Sequence, residues 1–275
     1  MTTINLSWKN AEGLRLHAVH WPVERPRAVL TLLHGQGEHI GRYAHLAGWF
    51  NRHNVAVLGY DHQGYGRSEG RRGHARNLNA LLDDIGLALD ETRRRYPGVP
   101  HFLYGHSMGG NLALNYVLRR RPVLAGLIAT GPWVRLAFPA PLLKVFAGRV
   151  LHNIAPTLRL PNGLAVHFLS HDPKVVEAYQ NDPLVHDRLS VAAGIDLLDG
   201  AIWLNRYHGK APVPMLLQHG GADKITSPHG TRALAERLNG DVTFREWPGL
   251  YHEIHNEPEQ EDVFAFTLQW MEALT

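Results

Sequence analysis

The chain contains no cysteine, which excludes disulfides, thiolate nucleophiles and cysteine-ligated zinc while remaining compatible with any redox compartment. It has no apolar run of transmembrane length. Residues 1–13 lack the basic start and apolar stretch of a secretory leader, so a cytoplasmic protein is expected. Internal repeats and low-complexity tracts are also missing. Charge of one sign is scarce: 28 Lys and Arg against 25 Asp and Glu leave a net charge of +3. The arginines fall in short groups, Arg71-Arg72, Arg93-Arg94-Arg95 and Arg119-Arg120-Arg121, at loops and helix ends where they cap or solvate. A basic face interleaved with aromatic platforms is not there, so no nucleic-acid partner is expected. Nothing in the pattern calls for an obligate protein partner.

What is present is apolar bulk in an alternating pattern. With 275 residues and 44% hydrophobic content, the chain can bury one full-sized core carrying an insertion. Val/Ile/Leu-rich runs at 14–21, 28–33, 55–60, 101–104, 124–130, 215–218 and 242–247 read as strands. Helical spacing at 43–52, 77–96, 111–118, 231–238 and 263–271 fills the gaps, which predicts an α/β fold with a mostly parallel sheet. Over 77–96, Asn77 is placed to cap the start, Leu78, Leu81, Leu82, Ile85 and Leu89 share a face, and Pro97-Gly98 ends the helix. Residues 133–207 break the alternation. They read as a helical cap inserted into a core formed by residues 1–132 and 208–275.

The sharpest motif is Gly105-His106-Ser107-Met108-Gly109, a serine between two glycines where a strand gives way to a helix. Such a serine sits in strained backbone, and side chains at Gly105 or Gly109 would collide with neighbouring elements. A serine hydroxyl is a weak nucleophile that needs a histidine base and a carboxylate to orient it. In an open parallel sheet these should follow later strands. Asp223 follows the 215–218 strand and His252 follows the 242–247 strand, giving the order Ser, Asp, His. His255 is the rival base in the same loop, and Asp241, which precedes a strand, is the weaker carboxylate. The oxyanion of acyl transfer needs preorganised donors. The backbone N–H groups of Met108, next to the serine, and of Gln36, in the loop His34-Gly35-Gln36-Gly37, are the candidates.

Two other patterns have bland readings. The glycines of Gly64-Tyr65-Gly66-Arg67-Ser68-Glu69-Gly70 miss the dinucleotide spacing by one residue, which leaves a structural turn. His252-Glu253-Ile254-His255 has one residue too few between its histidines for a helical zinc site, so no metal is expected.

Taken together, these segments resemble the monoacylglycerol lipase and lysophospholipase group of serine hydrolases, within the α/β-hydrolase fold. Residues 34–43 resemble that group's oxyanion loop, 61–70 its following turn, 104–110 its elbow and 181–184 the end of its cap, and the Asp223 and His252 loops match as well. The likeness runs from about His34 onward. It implies an ester hydrolase for single-chain acyl lipids, with Ser107, Asp223 and His252 as triad and no cofactor. It also implies that Glu38, Arg42 and His255 shape a polar pocket for the alcohol. From spacing alone, Glu38 and Arg42 are four apart and read as a surface ion pair worth ~0.5 kcal/mol.

The cap segment 136–151 reads either as a helix packed over the sheet or as a lid whose apolar side lines an acyl tunnel and touches a lipid surface. Alternative activities are a lysophospholipase or short-chain esterase, an acyltransferase, an aminopeptidase, and a non-catalytic binding member of the fold. For the aminopeptidase, the cap acids Asp172, Glu177, Asp182 and Asp187 show no obvious clustering.

Overall fold

The computed structural model of the protein describes residues 2–139 and 142–275. Residues 140 and 141, part of the cap segment discussed above, lie outside the described residues. In chain order the elements are β1 (Ile4–Lys9), β2 (Arg15–Trp21), β3 (Ala28–Leu33), α1 (Ala44–Arg52), β4 (Val55–Tyr60), α2 (Leu78–Arg95), β5 (His101–His106), α3 (Met108–Arg120) and β6 (Gly126–Thr130). There follow α4 (Leu142–Ile154), β7 (Arg159–Pro161), α5 (Pro173–Asn181), β8 (Arg188–Ser190) and α6 (Val191–Arg206). The chain then returns through β9 (Met215–Gly220), α7 (Pro228–Arg237), β10 (Val242–Trp247) and α8 (Gln260–Glu272).

Eight strands form one sheet in the order β1-β2-β4-β3-β5-β6-β9-β10. Only β2 runs against the others. Every residue of β3, β4, β5, β6 and β9 is buried, as strands covered by helices on both faces must be. One apolar layer packs Leu81, Ile85, Leu112, Val117 and Leu234 of α2, α3 and α7 on one face. The other packs Leu46, Phe50, Phe264 and Leu268 of α1 and α8 on the opposite face. From β3 the chain moves outward to β4 and then crosses back to β5 on the other side of β3. That reversal opens a crevice at the carboxyl ends of β3 and β5. This is the α/β-hydrolase architecture that the sequence led us to expect.

Helix α2 forms as anticipated: the Asn77 side chain accepts from the Ala80 N–H, and Arg93, Arg94 and Arg95 lie in the last turn. Four elements differ from expectation. β1 pairs with β2 in the register Leu6↔Ala18 and Trp8↔Leu16, but as an edge strand with alternate residues exposed it lacks the continuous apolar run of the others. Helix α7 starts earlier than its apolar spacing suggested, because Ser227 caps it and Pro228 fills its first turn. The cap also holds a two-stranded ribbon, β7 with β8, too short to leave a periodic signature.

Asp84 of α2 is buried, and its carboxylate receives only a long 3.5 Å hydrogen bond from Asn10 Nδ2 among the described residues. Burial pushes this carboxyl up to about 7. A carboxyl whose folded pKa is raised stabilises the fold below its unfolded pKa, and that contribution is lost as pH rises through the folded value. The Asp84→Asn protein is therefore expected to match the wild type near pH 4 and to exceed it by about 1–4 kcal/mol at pH 8.5 in urea unfolding.

Candidate active site

Ser107 sits between β5 and α3 with φ 53° and ψ −113°, a left-sided conformation that ordinary residues avoid. Its N–H donates to the Thr130 carbonyl at 3.0 Å, tying the turn to β6. The flanking glycines are sterically required. A Cβ on Gly105 would overlap the Gly109 carbonyl, and one on Gly109 would overlap the carbonyls of Leu33 and His34. The side chain thus stands clear of the sheet's carboxyl edge. The Met108 N–H, first in α3, has no acceptor within its own helix.

The loops after β9 and β10 bring two partners to this serine. His252 Nε2 lies 2.9 Å from Ser107 Oγ, and His252 Nδ1 lies 2.7 Å from Asp223 Oδ2. All three residues are buried. Burial alone would push the His252 ring down, but the Asp223 carboxylate outweighs it and holds the ring above its ordinary value. Burial would raise Asp223, yet His252 and His219 hold that carboxyl far below the usual range. The rivals go elsewhere. His255 stacks on Tyr43 with ring centroids 4.8 Å apart, and Asp241 is exposed at the start of β10.

Gln36 is fixed through its side chain. Tyr65 Oη donates to its Oε1 at 2.6 Å, and its Nε2 donates to the Arg188 carbonyl in the cap at 3.3 Å. The next residue, Gly37, accepts from the His186 N–H at 2.9 Å. The loop that carries the Gln36 N–H is therefore held by the cap as well as by β3.

Glu38 and Arg42 do pair, but inside the protein rather than on its surface. Both are largely buried, and Arg42 also makes a two-pronged contact to Glu253 at 2.8 Å for each nitrogen. Glu38 Oε1 accepts from the Gly35 N–H and from Tyr43 Oη, each at 2.6 Å. The surface-pair estimate of ~0.5 kcal/mol therefore does not apply. Burial would raise Glu253, and Arg42 reverses this so that it stays ionised far below its usual range. His255 completes the cluster. Both its ring nitrogens are buried without a hydrogen-bond partner among the described residues, and burial keeps it neutral. Ligand atoms of Glu38, His106 and Glu253 lie within 4.8 Å of one another. The Arg42 guanidinium already supplies the positive charge between the two carboxylates. Residues 64–70 form a turn with Gly64 and Gly66 at positive φ and no helix behind it, as expected.

Ser107 also lines a cavity of about 190 Å³ walled by Trp133, Leu136, Phe138, Leu164, Leu189 and Ile225, with Gln36 at its edge. Among the described residues, no acidic side chain lines it. A larger depression of about 780 Å³ lies between α1 and α8, and its lining does not include Ser107, Asp223 or His252. Sequence reasoning missed His219, Thr226 and Glu253. His219 could have been suspected, because it stands four residues before Asp223 at a strand's carboxyl end. Glu253 and Thr226 carry no comparable signal.

Comparison with known proteins adds a family to this geometry. Residues 24–259 match the Hydrolase_4 model, described as serine aminopeptidase, S33. The monoglyceride lipase of Homo sapiens is 36% identical over 273 residues, covering 97% of this chain and 89% of that protein. An abhydrolase domain-containing protein of Dictyostelium discoideum is 35% identical over 271 residues, and this chain spans 28% of its length. The crystal structure of the Paleococcus ferrophilus monoacylglycerol lipase superposes with a TM-score of 0.87 at 34% identity, covering 94% of this chain and 99% of that one.

Removing one partner of the buried ion cluster leaves uncompensated charge behind it. The Arg42→Met protein is expected to lose about 3–5 kcal/mol of stability at pH 8. With Arg42 gone, burial would raise the folded pKa of the Glu253 carboxyl, so part of the loss should be recovered as pH falls toward 4.5. Urea unfolding at the two pH values measures both effects.

Proposed function

The chain belongs to the Hydrolase_4 family and is a serine ester hydrolase of the α/β-hydrolase fold; from that premise we propose that it cleaves monoacylglycerols to a fatty acid and glycerol. The observation that carries this reading is the Ser107 hydroxyl, 2.9 Å from His252 Nε2 in the wall of an apolar cavity. In the mechanism, Ser107 Oγ attacks the ester carbon as His252 Nε2 takes its proton. Asp223 holds the other ring nitrogen and stabilises the imidazolium. The N–H groups of Gln36 and Met108 receive the developing oxyanion. His252 then returns the proton to the departing alkoxide, and a water repeats the cycle to release the acid. No cofactor enters these steps.

The apolar cavity is assigned to the acyl chain. At about 190 Å³ it is smaller than the ~300–1,000 Å³ of typical ligand sites, so a long chain requires the wall at Leu136 and Phe138 to part. Glu38, Arg42 and His255 are assigned to the alcohol. A Cβ on Gly35 would lie 2.8 Å from Glu38 Oε1 and 3.4 Å from Ser107 Cβ, which supports a polar side next to the serine and outside the apolar cavity. The cap acids argue against an aminopeptidase. Asp182 binds His39, Asp172 caps α5, Asp187 pairs with Arg188 and Glu177 is exposed, so none is free in the cavity to hold an amine.

Residues 133–207 form the cap in this reading, with transient contact to a lipid surface through α4. Leu142, Leu143, Phe146 and Ile154 are each at least 68% exposed, and no α4 residue is buried. That contrasts with a helix packed over the sheet and supports an apolar stripe offered to lipid. No helix among the described residues is long and apolar enough to cross a membrane. A cytoplasmic enzyme that meets membranes peripherally fits these features.

The test is a panel of monoacylglycerols, lysophospholipids and short aryl esters. Cleavage should be strongest on monoacylglycerols, vanish in Ser107→Ala, and fall roughly 10⁴-fold in Asp223→Asn. Because His252 must be neutral and is held above 6.5, kcat/KM should fall with acid through a midpoint above that value. Full activity in Ser107→Ala would sink the mechanism. Cleavage confined to lysophospholipids or short esters would sink the substrate.

A further inference from the structure

The Asp223 carboxylate is crowded with donors, and one belongs to a residue the steps above leave unused. Oδ1 accepts from the Ile225 and Thr226 N–H groups at 2.7 and 3.1 Å. Oδ2 faces His252 Nδ1 at 2.7 Å, Thr226 Oγ1 at 2.8 Å and His219 Nε2 at 2.9 Å. Thr226 has a single proton and a competing acceptor in the Gly131 carbonyl at 3.0 Å. His219 Nε2 lies nearer to Asp223, at 2.9 Å, than to its other neighbour, Thr226 Oγ1, at 3.2 Å. Its ring is fully buried, and its Nδ1 lies 2.9 Å from Thr231 Oγ1 of α7. Thr231 donating to Nδ1 leaves the proton on Nε2, aimed at Asp223.

We propose that His219 is a positioning residue that clamps the Asp223 carboxylate toward His252 and limits its basicity, keeping His252 available as a base near neutral pH. The inference rests on Ser107, Asp223 and His252 acting as the triad. A hydrogen bond to the ionised form of a carboxylate withdraws electron density from it. The less basic the carboxylate, the less it favours the imidazolium over the free base. This restraint matters because the other charges facing His252, Glu253 and Glu38, also favour the imidazolium. The remaining ring neighbour is His106, at 4.8 Å, which burial keeps neutral with its pKa pushed down to about 3. The His219 ring directs a donor at Oδ2 from the side opposite the following turn. Rotation of Asp223 is opposed at the same time, because Oδ2 is gripped from β9 and Oδ1 from the following turn.

The experiment is the pH profile of kcat/KM on a monoacylglycerol for wild type, His219→Leu and His219→Gln. Loss of the donor in His219→Leu should move the acid midpoint up by about 0.5 pH unit or more. It should also lower kcat about 10-fold while leaving KM within about threefold, since His219 does not line the apolar cavity. Glutamine, whose amide N–H reaches the same oxygen, should bring the midpoint back toward wild type. If leucine packs too poorly to fold, His219→Met replaces it. A folded Leu or Met protein with the wild-type midpoint overturns the proposal, and so does a Gln protein shifted as far as the apolar one. Ser107→Ala separates the two levels of inference. Residual full activity there brings down the triad reading, whereas a dead Ser107→Ala beside an unmoved His219→Leu midpoint brings down the His219 assignment alone.

Discussion

One backbone conformation organises the molecule: a serine at φ 53° joining a fully buried strand to a largely buried helix. A side chain in that conformation is strained by about 1–3 kcal/mol, and the strain persists only because its surroundings leave no alternative. Those surroundings are specific. Gly105 and Gly109 let β5, α3 and the end of β3 approach closely, and the Thr130 carbonyl of β6 holds the serine amide. The same close approach delivers the loop after β3 to the serine. The placement of the Met108 amide and of the Gln36 loop beside the serine are therefore consequences of one packing arrangement.

Around this elbow the protein keeps two kinds of buried charge apart. His252 faces the serine with Asp223 behind it, while the Glu38, Arg42 and Glu253 cluster stands behind Gly35 and holds the amide of that glycine. The sequence neighbours His252 and Glu253 belong to different networks. That division lets one loop carry His252 and, through Glu253, Arg42 and Glu38, hold the loop after β3. The largely apolar cavity occupies another side of the serine, apart from that ion cluster.

Much of this was legible in the sequence, for identifiable reasons. The elbow was readable because its steric demand leaves glycines at fixed positions, and Asp223 and His252 because each follows a readable strand, Met215-Leu216-Leu217 of β9 and the mixed Val242–Trp247 of β10. The fold followed from the same runs. Three things were not readable. β1 exposes one face and so lacks a continuous apolar run. The three-residue strands β7 and β8 are too short for any period. The burial of Glu38 and Arg42 depends on Glu253, which is 211 residues from Arg42, so spacing four apart suggested only a surface pair. Long-range partnership is what a single sequence conceals.

The cap shows the same limit, because its attachment is unequal in a way composition does not record. Its carboxyl-terminal part is bonded to the core backbone: His186 N–H to the Gly37 carbonyl, Ser190 N–H to the Gly73 carbonyl, and the Leu169 carbonyl to the Glu253 N–H. The buried Glu257 carboxylate adds bonds to the N–H groups of His171 and Tyr251 and to the Ser170 hydroxyl. Helix α4 is held differently. Exposed Arg149 pairs with Asp199 of α6, His152 meets Asp196, and the apolar stripe faces solvent. Exposed pairs of this kind contribute ~0–1 kcal/mol each, whereas the backbone bonds at the other end sit among buried groups. The cap is accordingly one structure with two stiffnesses. The firmly bonded part holds the loop after β3 and the His252 loop, and the loosely held part carries the exposed apolar stripe of α4.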